Sequence, residues 1–423
     1  MSGKARRGGL ARGAAEVVKH VARRTGLLPA GTPDRLADDE KLLDGRFDQT
    51  VMVYFPDTRA NLYQLRQWYA PLLALNERHP VVIVLQDSRA ARLVRQELDL
   101  PAVVIAHYGR LDALLLRSDV KLALYVNHNP QNFAALRFTS LAHVYLTHGD
   151  SDKGVSVSNQ SKAYDFIFVP GQAAVDRIQA YTMFYDAAQH CVLIGCPQLD
   201  VDRPTEGAAT PGGRPAVLYA PTWEGAQPSM AYGSVASHGP AIVRRLLEDR
   251  RFAVTYRPHP LSGISSVEYG VADAEVRRLV TEAAVADPGA GHRVETEHSV
   301  NHSLAGADLL VTDISAMAIE WLPSGKPMVI TEPASGAVVT ARTRMLDVVP
   351  RLSVTDLPGL AALVADQLDR DPTRAARAGL VDYYLGDTTP GAATKSFLDA
   401  CTRVIFERDE AWAVVSGRGP AGP

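Results

Sequence analysis

Hydrophobic residues fall in short, nearly unbroken runs separated by stretches with helical spacing. TVMVYF (50–55), VVIVLQ (81–86), AVVIA (102–106), LALYV (122–126), HVYLTH (143–148) and FIFVP (166–170) read as strands. Apolar spacing at 60–77, 88–98, 109–117 and 131–140 predicts the helices between them. Runs of Val, Ile and Leu without polar alternation bury both faces of a strand, as a parallel sheet covered by helices requires. The pattern breaks at 202–215, DRPTEGAATPGGRP, whose Pro, Gly and Thr content marks a surface linker. It then resumes: AVLYAP (216–221), FAVTYRP (252–258), DLLVTD (308–313) and PMVIT (327–331) read as strands. Helices are expected at 239–250, 273–286, 314–324 and 357–370, and a last one at about 392–408.

This alternation predicts an α/β chain with two Rossmann-like domains, at 47–201 and 216–410, joined by the linker at 202–215. Residues 1–46 form a basic amphipathic lead-in, expected to include a helix, and 411–423 a frayed tail. Open α/β sheets bind ligands beyond the carboxyl ends of their strands. Two such halves facing a cleft give the GT-B layout, with the acceptor on the first domain and a nucleotide donor on the second.

The chain has 423 residues and a formal net charge of −3, which argues against nucleic acid as a partner. The cysteines Cys191, Cys196 and Cys401 form no CxxC pair, which suits a reducing compartment. No apolar run reaches the roughly 18 residues of a membrane span, and no signal-peptide core is evident. The expected location is the cytoplasm. Near the start, Lys4, Arg6, Arg7, Arg12, Lys19, Arg23 and Arg24 are offset only by Glu16, with Leu10, Ala14, Val17, Val18 and Val21 at roughly helical spacing. Such a segment either lies on an anionic membrane surface, at the inner face of the cell membrane, or is a solvated basic tail.

Polar clusters follow four of the strands: THGDSDKG with His148, LYAPTWEG with Thr222 and Trp223, YRPHPL with Arg257 and His259, and VTDISAMAIEW with Asp313 and Ser315. A single strand-end histidine is unremarkable; four clusters at one end of the predicted sheets suggest a site.

These clusters resemble, in order and spacing, the CDP-glycerol glycerophosphotransferase family of teichoic acid primases and polymerases. HGDSDKG is similar to that family's HG-T-P-x-K, IGCPQLD to G-x-P-R-x-D, YAPTWEG to YAPTWR and RPHP to R-x-HP. TDISAMAIEWLPSGKPMV resembles TDYSS with its helix and following strand. YDFIFVPG and DYYLGDTTPGAAT extend the likeness over about residues 140–405. The resemblance implies transfer of a polyol phosphate, glycerol phosphate foremost, from a CDP-activated donor to a lipid-linked or polymer acceptor at the membrane. No cofactor beyond the donor is implied.

Within that chemistry His148 is expected to be the general base, histidine being suited to proton transfer near neutral pH; otherwise it is a core or capping histidine. His259, fixed between Pro258 and Pro260, is placed to stabilise the leaving phosphate. Arg257 offers a donor fork to phosphate or pairs with a structural carboxylate. Asp313, Ser315 and the next helix's N-terminus suggest a phosphate cradle, with Asp313 as cap or as a partner of His259 or the ribose. Thr222 adds a hydroxyl, and Trp223 either walls the cleft or packs in the core. Asp150, Gln198 and Ala316 depart from the family pattern of Thr/Ser, Arg and Ser. They leave the donor polyol open, ribitol phosphate included.

Other signals are weaker. Asp150-Ser151-Asp152 matches the metal-holding DxD of GT-A enzymes, but that fold does not explain a second Rossmann-like half. His298 and His302 lack the HExxH context of zinc and read as a surface pair, so no metal ligand is assigned. No GxGxxG follows a predicted strand, and no Walker loop is present in the sequence. The rival readings are a GT-B glycosyltransferase or capsule polymerase using a sugar nucleotide, and a non-catalytic binding protein that keeps the fold.

Overall fold

The computed structural model describes residues 38, 41–42, 44–147, 149–153, 158–200, 213–225, 227–334, 336, 338, 340 and 342–417. The basic segment, most of the linker at 202–215 and His148 lie outside the described residues. The chain forms two compact units, one of residues 1–146 and 401–423, the other of residues 147–400.

In the first unit β1 (Val51–Phe55), β2 (Val81–Leu85), β3 (Ala102–Val104), β4 (Leu122–Tyr125) and β5 (Ala142–Tyr145) run in the order β3-β2-β1-β4-β5. All pair in parallel, with Val51 opposite Val81 and Leu122 on either side. Every residue of β1, β2, β4 and β5 is buried, the outcome expected of strands covered on both faces. The segment read as one helix at 60–77 is two, Leu62–Arg66 and Tyr69–Asn76, divided at the buried Trp68. The helix expected at 131–140 is a single turn, Asn132–Ala135, and β5 stops at Tyr145, short of the expected His148. In both places apolar residues continue past the element because they fill the core, a role that periodicity alone does not separate from regular structure.

In the second unit β6 (Phe166–Val169) and β7 (Cys191–Leu193) pair in parallel. The larger sheet contains β8 (Ala216–Ala220), β9 (Ala253–Tyr256), β10 (Arg293–Val294), β11 (Leu309–Thr312), β12 (Met328–Thr331) and β13 (Arg351–Leu352). Its order is β10-β9-β8-β11-β12-β13, parallel throughout, which is the 3-2-1-4-5-6 order of a dinucleotide-binding sheet. Successive residues of β8 serve opposite cores. Leu218 and Ala220 pack with Leu310, Ile330 and Trp321; Val217 and Tyr219 pack with Ile242, Val254, Val276 and Leu360. The short strands β7, β10 and β13 were not expected from the sequence; two or three residues are too few to show a period.

The last helix, Ala392–Val415, begins in the second unit, and its residues from Cys401 onward belong to the first. There Asp409 accepts from Lys121 Nζ at 2.6 Å, and Arg408 Nε donates to Ser140 O at 2.7 Å. Among the described residues no helix is long and apolar enough to cross a membrane.

Candidate active site

In a sheet of this order the connections reverse direction between its first and fourth strands, and the gap they leave beyond the carboxyl ends is where ligands bind. In the second unit that gap lies between β8 and β11, where Thr222 and Asp313 follow the two strands.

Asp313 is fully buried. Its Oδ2 accepts from the backbone N–H of Thr222 at 2.7 Å and of Ser234 at 3.2 Å, and its Oδ1 accepts from Thr331 Oγ1 at 2.5 Å. One carboxylate thus ties together the chain after β8, β11 and β12. Burial raises its pKa, and these hydrogen bonds oppose the rise. Asp313 does not cap the next helix. Ser315 holds the N-cap position of Ala316–Trp321, and its hydroxyl lies 3.2 Å from Thr312 Oγ1 instead of on the helix N–H groups. Through these bonds the Asp313 carboxylate holds the loop that carries Thr222.

The loop after β8 is held at Thr222, Trp223 and Glu224. Tyr269 OH donates to Thr222 O, and Gly233 permits this: a Cβ there would stand 2.6 Å from that hydroxyl. Glu224, at the place of the family's Arg, accepts from the backbone N–H groups of Gly263, Ser265 and Ser266 at 2.7 to 3.1 Å. Trp223 is half-buried and its ring lies near-parallel to that of His259, with centroids 6.3 Å apart. It is therefore at the site's surface and not in the core. His259 Nδ1 accepts from Leu261 N–H at 3.1 Å, which puts the proton of the neutral ring on Nε2.

Arg257 directly follows β9. Its Nη1 donates to Ser303 Oγ at 2.8 Å and its Nη2 to His298 O at 2.9 Å. Burial lowers its pKa and Glu295 offsets part of that effect. The fork is thus carried by the 298–303 turn, with no carboxylate hydrogen-bonded to it in the described contacts.

A further cation joins this cluster. Lys153 Nζ donates to Thr222 Oγ1 at 3.1 Å and sits 5.4 Å from the Tyr232 ring centroid. Burial lowers its pKa to about 8, against the pull of Asp313. A half-buried ammonium beside a hydroxyl is suited to phosphate. Lys153 was not assigned from the sequence as a site residue, although the lysine of HG-T-P-x-K, with which DSDK aligns, is the signal that points to it.

The departures from the family pattern have structural partners. Arg177, on the helix Gln172–Tyr181, donates to Asp150 and, at 3.0 Å, to Asp152; Tyr384 OH donates to Asp152 at 2.7 Å. Both carboxylates of the DxD thereby share one arginine. Gly149 adopts φ +125°, and a Cβ there would meet the Ala316 methyl at 3.0 Å. The small residue in place of the family's second Ser is thus packed on the turn beside Asp150. Gln198 accepts from Cys196 Sγ at 3.2 Å, and its carbonyl accepts from Asn301 Nδ2 at 3.2 Å. Nearby, burial pushes the Glu320 carboxyl up to about 7.

The first unit has its own polar cluster at the equivalent gap between β1 and β4. Asp57 Oδ2 accepts from Asn127 and Asn129 at 3.1 and 3.0 Å, and Asn127 also donates to Gln64 Oε1 at 2.8 Å. These residues follow TVMVYF and LALYV directly, a strand-end position that marks them as it marked the four clusters above.

The structure therefore links Lys153, Thr222 and Asp313 by hydrogen bonds, pairs Ser315 with Thr312, which donates to Ala220 O, and sets Trp223 beside His259 on the adjoining loops. Arg257 stands two residues from His259, turned onto the 298–303 segment.

Known structures share the fold. The chain is similar to a UDP-N-acetylglucosamine 2-epimerase of Listeria monocytogenes (14% identity, 85% of this chain and 98% of that one, TM-score 0.54). It is also similar to a glycosyltransferase of Rickettsia africae (11%, 86% and 99%, TM-score 0.52). The wall teichoic acid polymerase TagF, in a form soaked with CDPG, matches at 11% identity over 95% of this chain and 99% of that one, with TM-score 0.57. No curated protein matches the sequence. The model of the CDP-glycerol:poly(glycerophosphate) glycerophosphotransferase family matches residues 133–370, more than half of the chain, a span that includes Lys153, Thr222, Arg257, His259, Asp313 and Ser315. The chain belongs to that family and is a transferase of the CDP-glycerol glycerophosphotransferase type.

Proposed function

We propose that the second unit binds a CDP-linked polyol, CDP-glycerol foremost, and passes its polyol phosphate to a polymer or lipid-linked acceptor in the synthesis of a teichoic-acid-like wall polymer. The observation that carries this reading is the cluster of Lys153, Thr222 and Asp313 at the strand-order reversal, inside the segment matched by the family model. Ligands of such sheets bind at that position.

In the reaction the acceptor hydroxyl oxygen attacks the phosphorus that bears glycerol. The bond from that phosphorus to the bridging pyrophosphate oxygen breaks, and CMP leaves with that oxygen. His148 takes the hydroxyl proton. Lys153, Arg257 and the Nε2–H of His259 stabilise the charge that builds on the departing phosphate. Thr222 orients the same phosphates and Trp223 flanks His259. Asp313 acts through the loops it holds. The enzyme works at the inner face of the membrane, its basic N-terminal segment against anionic lipid.

The test is incubation of the full chain with labelled CDP-glycerol, CDP-ribitol and UDP-sugars. CMP release supports polyol-phosphate transfer. Release of a nucleoside diphosphate indicates sugar transfer instead, and binding without turnover a non-catalytic protein.

A further inference from the structure

Glu295, His298 and His302 lie outside the cluster just described, and the sequence alone reads the two histidines as a surface pair. The structure adds a carboxylate to them. Glu295 follows β10, where its N–H donates to Tyr256 O at 2.8 Å, and it is 5% exposed. Its Oε1 accepts from the N–H groups of Glu297 and His298 at 2.9 and 3.0 Å, and its Oε2 lies 3.0 Å from His298 Nδ1.

His298 precedes the helix Val300–Ala305 and His302 lies within it. Ser299 caps that helix by accepting from His302 N–H at 3.2 Å. The turn brings the two imidazoles into a stack, with centroids 4.2 Å apart and planes 19° apart. Both histidines are exposed, and one ligand atom from each of the three residues falls within 4.8 Å of the others. Bonds of about 2.0–2.2 Å in tetrahedral geometry place ligand atoms roughly 3.5 Å apart. Rotation of the two exposed rings closes that difference.

We propose that Glu295, His298 and His302 form a binding site for a divalent transition metal, Zn2+ foremost, with three protein ligands and an open position for water. Two imidazoles and a carboxylate match zinc in ligand type, whereas Mg2+ and Ca2+ prefer all-oxygen sets. Arg257 adjoins the trio, its Nη2 donating to His298 O at 2.9 Å. A metal here would fasten the same turn that holds this guanidinium.

The experiment is calorimetric titration of the full chain with ZnCl2, alongside the ligand-field absorption of Co2+. The expected result is one equivalent bound by the unaltered protein. His298→Ala and His302→Ala should each weaken binding at least about 10-fold, and the double substitution should abolish it. Both side chains are exposed, so the variants should retain the parent's far-UV circular dichroism, and that spectrum checks their folding. No binding to the unaltered protein, or equal binding by the double variant, overturns the proposal. Neither readout depends on donor binding or turnover, so this result stands apart from the transfer assay.

Discussion

Asp313 Oδ2 accepts the Thr222 backbone N–H at 2.7 Å, joining the chain after β11 to the chain after β8 across the point where the strand order reverses. The contact is buried, and the same carboxylate also receives Ser234 N–H and Thr331 Oγ1. The loop that bears Thr222 and Trp223 is thereby fixed by a fully buried carboxylate.

Asp313→Ala removes the acceptor for three buried donors. It should destabilise the protein by at least about 2 kcal/mol, the usual cost of stranding such groups, and lower transfer activity. Urea unfolding followed by circular dichroism measures the first. Asp313→Asn keeps one acceptor oxygen and should lose less.

Lys153 should be needed as the ammonium. Its pKa of about 8 lies below the ordinary lysine value, so the charged form is full below that pH and is lost as pH rises through it. Donor KM should climb above about pH 8 in the parent. Lys153→Ala should raise KM about 10-fold or more at neutral pH, and Lys153→Arg, charged throughout, should flatten the pH dependence. A parent KM that is level from pH 7 to 9 would contradict the assignment.

His148→Ala and His259→Ala should each reduce turnover about 100-fold or more, the size of effect seen when an acid–base or electrostatic group is lost. Steady-state assays of CMP release decide it. Near-parent rates in both folded variants would remove these two residues from the mechanism.

Arg177→Met should cost about 3–5 kcal/mol, because the buried carboxylates of Asp150 and Asp152 lose their shared guanidinium. Denaturant unfolding provides the measurement. The segment it anchors leads to Lys153, so donor KM should rise as well.

Deleting residues 1–26 should weaken sedimentation with anionic liposomes and leave activity on a soluble acceptor intact. Unchanged sedimentation would refute the membrane role of that segment.

The hydrophobic runs alone determined the two α/β sets and the strand-end positions of Thr222, Arg257, His259, Asp313 and Ser315. A strand buried on both faces must be apolar throughout, and that demand is written locally in the chain. The resemblance of ordered motifs reached the family for the same reason: each motif is a contiguous string. What only the tertiary structure decided are the partnerships between distant strings. Lys153 meets Thr222 across 69 positions and Asp150 meets Arg177 across 27. Asp313 serves loops and not a helix cap, and Glu295 lies under two histidines. Sequence spacing gives the period of one element, whereas hydrogen bonds between loops depend on which strands the sheet sets side by side.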